Sequence, residues 1–94
     1  MELKKAFGTT LKETRLNRRL TQEDFSLVSS RTNVSLLERG GTSPTLEKLD
    51  ALCSVLEIHP VSLLAACYMR KESAVDITDF LKKIEIELET LKKT

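Results

Sequence analysis

The sequence predicts an all-α fold in which five short helices close a small core and a further amphipathic helix follows. Three observations carry that expectation. Apolar residues recur at helical spacing, most clearly Leu46, Leu49, Leu52, Cys53 and Leu56. Residues that favour helix starts, such as Thr21, Ser30 and Pro44, stand just ahead of these runs. The composition, with 40% apolar and 31% charged residues, three glycines and two prolines, is that of an ordinary globular, helix-rich chain.

Between Leu3 and Arg19, the residues Leu3, Ala6, Phe7 and Leu11 form one helical stripe that Thr14 and Arg15 continue, while Gly8 weakens the first turns. The second helix is "TQEDFSLV". Thr21 with Asp24 three residues on is a near match to a capping box, and Phe25 and Val28 form the buried face. Ser29 and Ser30 interrupt that pattern, and Ser30 caps a third helix running to about Arg39. Val34 and Leu37 point inward from it, Leu36 lies to one side, and Gly40 and Gly41 stop it. The fourth helix is "TSPTLEKLDALCSVLEI", with Pro44 near its start, and His59 and Pro60 open a largely buried fifth, "PVSLLAACYM". Residues 1–70 are therefore read as one domain.

Residues 71–94 have a different character. After the polar joint "RKESAVD", a helix from Asp76 to Lys93 places Ile77, Leu81, Ile84, Leu88 and Leu91 at steps of 4, 3, 4 and 3, with Phe80 widening the seam. Such a seam pairs with another helix, either in a homodimer or by folding back on its own domain. About two heptads are too few for a free-standing coiled coil.

Several function classes find little support. Cys53 and Cys67 sit in apolar runs, read as small buried hydrophobes, and lack metal-ligand spacing. His59 has no thiol to complete a metal site and no partner to make it a base, so no enzyme, metal or cofactor is expected. No apolar run approaches the roughly 20 residues that span a bilayer, and the start lacks a signal-peptide core, so a cytoplasmic protein without a membrane partner is expected. The net charge of +1 conceals an asymmetry: residues 1–39 hold eight basic and five acidic side chains, whereas residues 76–94 hold four lysines and five acids. For a nucleic-acid partner, that placement matters more than the sum.

Two short helices joined by a tight turn behind a longer basic helix describe a helix-turn-helix, whose second member lies in the DNA major groove. The outward residues of the third helix, Arg31, Thr32, Asn33 and Ser35, have the short polar or guanidinium side chains that read base edges. At this point residues 11–64 resemble the Cro/C1, or XRE, helix-turn-helix family. The resemblance rests on Arg15 in the first helix, "TQED", "LLERG", "SPTLEKL" and the Ile58-His59-Pro60 start of the fifth helix. It implies a lambda-repressor-like fold. It further implies that Gln22 meets a phosphate, that Arg31, Thr32 and Ser35 face base edges, and that Asn33 reaches a phosphate or flanking base. Arg39 to Thr42, Thr45 and Lys48 would hold the DNA backbone. Leu36 departs from the family, standing where relatives often carry a polar residue, and is read as contacting a thymine methyl or simply packing. Arg15 and Glu38 occupy positions that pair in relatives and support the reading helix. One departure is that "SLVSSRT" makes the turn directly, where members commonly have a longer turn, often with a glycine.

The function expected from these readings is sequence-specific binding of an inverted-repeat operator in double-stranded DNA by a homodimeric transcriptional regulator, a repressor where it occupies a promoter and an activator where it touches polymerase. Ile77, Phe80, Leu81, Ile84, Leu88 and Leu91 would form the dimer contact. Control by concentration, or by a regulatory protein on the last helix, is more plausible than control by a small molecule. The profile resembles phage repressors, restriction-modification controllers and antitoxins, hence a bacterial or phage origin. The alternative is a helical protein adaptor on the same scaffold, which salt separates from a DNA binder because counterion release makes only the latter steeply salt-dependent.

Overall fold

A computed structural model describes residues 1–73 and 75–92. Among them are five α-helices and one 3-10 turn: α1 (Leu3–Asn17), the 3-10 turn (Gln22–Phe25), α2 (Arg31–Glu38), α3 (Leu46–Leu56), α4 (Pro60–Glu72) and α5 (Ile77–Lys92). The described residues contain no strand. Helices α2, α3 and α4 are the expected third, fourth and fifth, and the 3-10 turn is the second.

The apolar stripes meet in one core. Leu11 from α1, Phe25 from the 3-10 turn, Val34 and Leu37 from α2, Leu52, Cys53 and Leu56 from α3, and Leu63 and Cys67 from α4 are all fully buried. Arg70 of α4 then clamps α1: its Nε donates to Thr10 Oγ1 at 3.2 Å and its Nη2 pairs with Glu13. No residue of α5 is buried, so the domain closes without it.

Three helices end the same way. After α1 the Leu20 amide donates to Arg15 O (3.1 Å) and the Arg19 amide to Leu16 O (3.0 Å). After α2 the Gly41 amide donates to Leu36 O and the Gly40 amide to Leu37 O, both at 3.0 Å. After α3 the Ile58 amide donates to Cys53 O (3.1 Å) and the Glu57 amide to Ser54 O (3.4 Å). Each closure requires a left-handed residue just past the last helical turn. Gly40 meets that at φ +75°, whereas Arg19 (φ +60°) and Glu57 (φ +57°) adopt it despite a Cβ. Helix starts are capped as their residue types suggest. Ser30 accepts from the Asn33 amide and Thr45 from the Lys48 amide, both at 3.0 Å, and His59 Nδ1 accepts from the Val61 amide at 3.0 Å.

Several expectations need correction. The first helix stops at Asn17 rather than Arg19, because the left-handed Arg19 turns the chain inward to Leu20. The second helix is a 3-10 turn, held by bonds from the Asp24 amide to Thr21 O (3.2 Å) and the Ser26 amide to Glu23 O (3.0 Å). Its start is fixed as expected, with the Thr21 amide donating to the Asp24 carboxylate at 2.7 Å. The turn passes into the short "SLVSSRT" connection, where the Val28 and Ser29 amides both donate to Phe25 O at 2.9 Å. Leu46 is 77% exposed rather than on the buried face, because it lies in the first turn of α3 beyond the edge of the core. Helix α4 runs through Lys71 and Glu72, past the boundary drawn at residue 70. Helix α5 begins after Asp76, whose carboxylate accepts from the Asp79 amide at 3.1 Å, and Lys93 lies outside the described residues.

Gly8 does more than weaken a helix. A Cβ there would lie 2.5 Å from Leu37 O and 2.6 Å from Glu38 O, so α1 crosses the end of α2 backbone against backbone. Gly8→Ala should therefore destabilise the fold by about 1–3 kcal/mol, since neither carbonyl can move without breaking the α2 terminus. Arg19→Gly should stabilise it by about 0.5–1 kcal/mol by relieving a left-handed non-glycine residue. Urea denaturation checks both; an unshifted midpoint for Gly8→Ala would mean that the two backbones are not in contact.

Candidate nucleic-acid interface

A helix that carries both core and recognition residues must divide its circumference between them. At about 100° per residue, Arg31, Ser35, Arg39, Thr32 and Leu36 follow one another around an arc of about 140°. Val34 and Leu37, both buried, lie on the other side of the helix. Within the arc Arg31, Thr32, Leu36 and Arg39 are exposed and Ser35 is half-buried. The Arg39 Nε donates to Ser35 O at 3.3 Å, which lays that side chain back along the stripe. The result is a short ridge with two guanidinium groups, two hydroxyls and one apolar tip.

Behind the ridge, the structure buries a charged pair. Arg15 Nε donates to Glu38 Oε2 at 2.7 Å and Arg15 Nη2 to Glu38 Oε1 at 3.0 Å, a two-pronged contact. The two side chains are only 9% and 3% exposed. Arg15 Nη1 also donates to Leu20 O at 3.0 Å, and Gln22 Nε2 to Glu38 Oε1 at 3.1 Å. The Glu38 carboxylate at the end of α2 thus gathers α1 and the 3-10 turn, and Arg15 ties in the loop between them. The hydrogen bonds and charge of Glu38 outweigh desolvation and raise the Arg15 pKa, so the guanidinium stays charged.

The other expected site residues divide by the partners they have found. Gln22, expected on a phosphate, gives one amide hydrogen to Glu38 and retains a second donor for an anion. Asn33 stands outside the outward arc, and its Nδ2 donates to the buried Ser29 Oγ at 2.8 Å, pinning α2 to the turn before it. Lys48 is half-buried and its Nζ bonds Val28 O, tying α3 to the same turn. Thr42 is half-buried in the loop after α2, and Thr45 is exposed as the cap of α3. The structure therefore gathers Arg31, Thr32, Ser35, Leu36 and Arg39 on one face and uses Asn33 and Lys48 as fasteners beside it. Ser29 and the carbonyls of Leu20 and Val28 belong to this framework and were not foreseen, because a backbone acceptor leaves no mark in sequence.

Burial pushes the Cys53 thiol up to about 11, with Asp50 adding to the effect, and burial also raises Cys67. Both are thiols, not thiolates, at neutral pH. Among the described residues no group of His, Cys, Asp and Glu could hold a metal ion, and no single helix is long and apolar enough to cross a membrane.

The buried pair yields a sharp expectation. Glu38→Leu or Arg15→Met alone should destabilise the domain by about 3–5 kcal/mol, because each strands the partner's charge away from water. The double variant should cost clearly less than the sum, read as a coupling energy in a denaturation cycle. Strict additivity would show that the two side chains do not act as a pair.

The sequence profile of the helix-turn-helix family matches residues 11–63, from within α1 to within α4. No curated protein sequence matches the chain. Among solved structures it is similar to the clp gene regulator ClgR from Corynebacterium glutamicum, at 20% identity and a TM-score of 0.68, over 97% of this chain and 90% of that one. At that identity the likeness concerns the fold. With more than half its length matched by the family profile, the chain belongs to the Cro/C1-type, or XRE, helix-turn-helix family of DNA-binding transcription regulators.

Proposed function

We propose that the protein is a cytoplasmic transcriptional repressor that binds an inverted-repeat operator in double-stranded DNA as a homodimer. The observation that carries this reading is the outward ridge of α2, exposed and chemically suited to base edges while its frame is locked from behind. In the major groove, Arg31 can give two hydrogen bonds to a guanine edge, and the Thr32 and Ser35 hydroxyls can serve as donor or acceptor. Arg39 at the end of the ridge, with Thr42 and Thr45 beyond it, would meet the DNA backbone, and phosphate contacts there would fix register without reading sequence. Repression then needs only occupancy of a promoter.

One ridge offers few base contacts, so useful affinity calls for two linked copies. Support for a dimer comes from α5, where Ile77 (56%), Leu81 (51%), Leu88 (55%) and Leu91 (66%) are exposed along one seam. Phe80 and Ile84 are half-buried beside an apolar trough lined also by Val61, Leu64 and Tyr68 of α4. To meet an inverted repeat, two chains joined on this seam must hold their ridges about 34 Å apart, one turn of DNA. The same surface is where a regulatory protein would compete.

Selection of the purified protein on a random duplex library tests the proposal: an enriched inverted repeat is expected, and no enrichment at low salt would overturn it. Ile84→Asp, which places a charge in the seam, should lower both dimer content in sedimentation and affinity for the repeat. A variant that still sediments as a dimer would move the dimer contact away from α5.

A further inference from the structure

The ridge on α2 contains one group that cannot make a hydrogen bond. Leu36 is 37% exposed, beside Ser35 and one turn from Thr32, Arg39 and Gly40. Val34 and Leu37, and not Leu36, are the residues that α2 gives to the core. Its position is set from the other side by Gly41: a Cβ on Gly41 would lie 2.4 Å from Leu36 Cδ1, so the leucine tip rests where only a glycine leaves room. An apolar tip is thus held on the face that carries the polar readers.

Resting on the proposed DNA reading, we infer that Leu36 is a specificity-determining residue that reads the 5-methyl group of a pyrimidine in the major groove. The argument is one of elimination. The major-groove edges of guanine, adenine and cytosine present hydrogen-bond donors and acceptors, and only thymine adds an apolar methyl. A leucine over any polar edge strips water from it and returns no hydrogen bond, whereas over a methyl both partners lose apolar surface to water. A leucine also cannot sense whether the ring carries the O4 of thymine or the N4 of cytosine. Recognition at this position therefore follows the methyl group: thymine and 5-methylcytosine are accepted, and uracil and unmodified cytosine are discriminated against. Binding at an operator whose cytosine meets this residue would respond to cytosine methylation. Gly41 acts as a positioning residue for this contact.

The test uses the full chain and the duplex enriched by selection, with each thymine of a half-site replaced in turn by deoxyuridine. Removing one buried methyl should weaken binding about three- to tenfold at one position. A 5-methylcytosine-guanine pair there should bind better than the unmodified pair by a similar factor. Leu36→Ala should bind the thymine and deoxyuridine duplexes within about twofold of each other. Gly41→Ala, which displaces the leucine without changing it, should also shrink the difference; thermal melts confirm that both variants fold. If deoxyuridine at every position binds the native chain as thymine does, or if Leu36→Ala keeps the full discrimination, the assignment of Leu36 is overturned while the DNA reading stands. If no duplex is enriched, the DNA reading itself fails and this inference with it.

Discussion

The buried contact between Arg15 and Glu38 is the constraint on which the presentation of the recognition helix depends. Helix α2 has eight residues, too few to be stable alone, and contributes only Val34 and Leu37 to the fully buried core. Apolar contact at two points leaves a short helix free to roll about its axis. The carboxylate of Glu38 removes that freedom: it accepts from two nitrogens of Arg15 and from Gln22, so its direction is fixed by groups on two other elements. Where Gly8 allows α1 and α2 to touch through their backbones, the distance between the helices is set as well. Roll and spacing together decide which side chains face outward.

Polar groups near the interface fall into two sets by whether the fold has already consumed their hydrogen bonds. Asn33, Lys48 and Glu38 have partners inside the chain and hold the frame, whereas Arg31 and Thr32 project from it with their side chains exposed. This division has a physical basis. A side chain that is to meet a base edge must be positioned without being satisfied, so the ordering has to come from neighbours beneath it. The capping of α2 by Ser30, its tie to Ser29 and its closure through Gly40 and Gly41 provide that ordering at both ends of an eight-residue helix. In helix α5, by contrast, Ile77, Leu81, Leu88 and Leu91 stay exposed along the seam while Phe80 and Ile84 are half-buried beside α4.

Much of this was legible in the sequence because helical periodicity and caps are local signals. The stripe of α3, the cap at Ser30, the stop at Gly40 and the seam of α5 all follow from residues within a few positions of one another. What was not legible depends on partners far apart in the chain. Gly8 reads as a weak helix residue until Leu37 and Glu38 come against it, and Asn33 reads as outward until Ser29 folds beside it. The resemblance to the Cro/C1 family supplied the pairing of Arg15 with Glu38, which periodicity alone does not reveal. Arg19 and Glu57 misdirect for another reason: a left-handed turn is normally announced by glycine, and here the packing of Leu20 and Ile58 against the core holds two charged residues in that conformation. Leu46 shows the limit of counting apolar positions, since its phase fits the stripe but the core ends before reaching it.

The central claim is that the face of α2 held by the Arg15–Glu38 contact is the surface that meets DNA. Backbone amide chemical-shift mapping on the folded chain, titrated with its selected duplex, tests this most directly. The account predicts that the largest changes fall on Arg31 to Leu36 and on Gly40 to Thr45, with the Gln22 side-chain amide responding and the exposed seam of α5 unaffected by contact with DNA. Changes confined to α4 and α5, with the α2 amides unmoved, would contradict it.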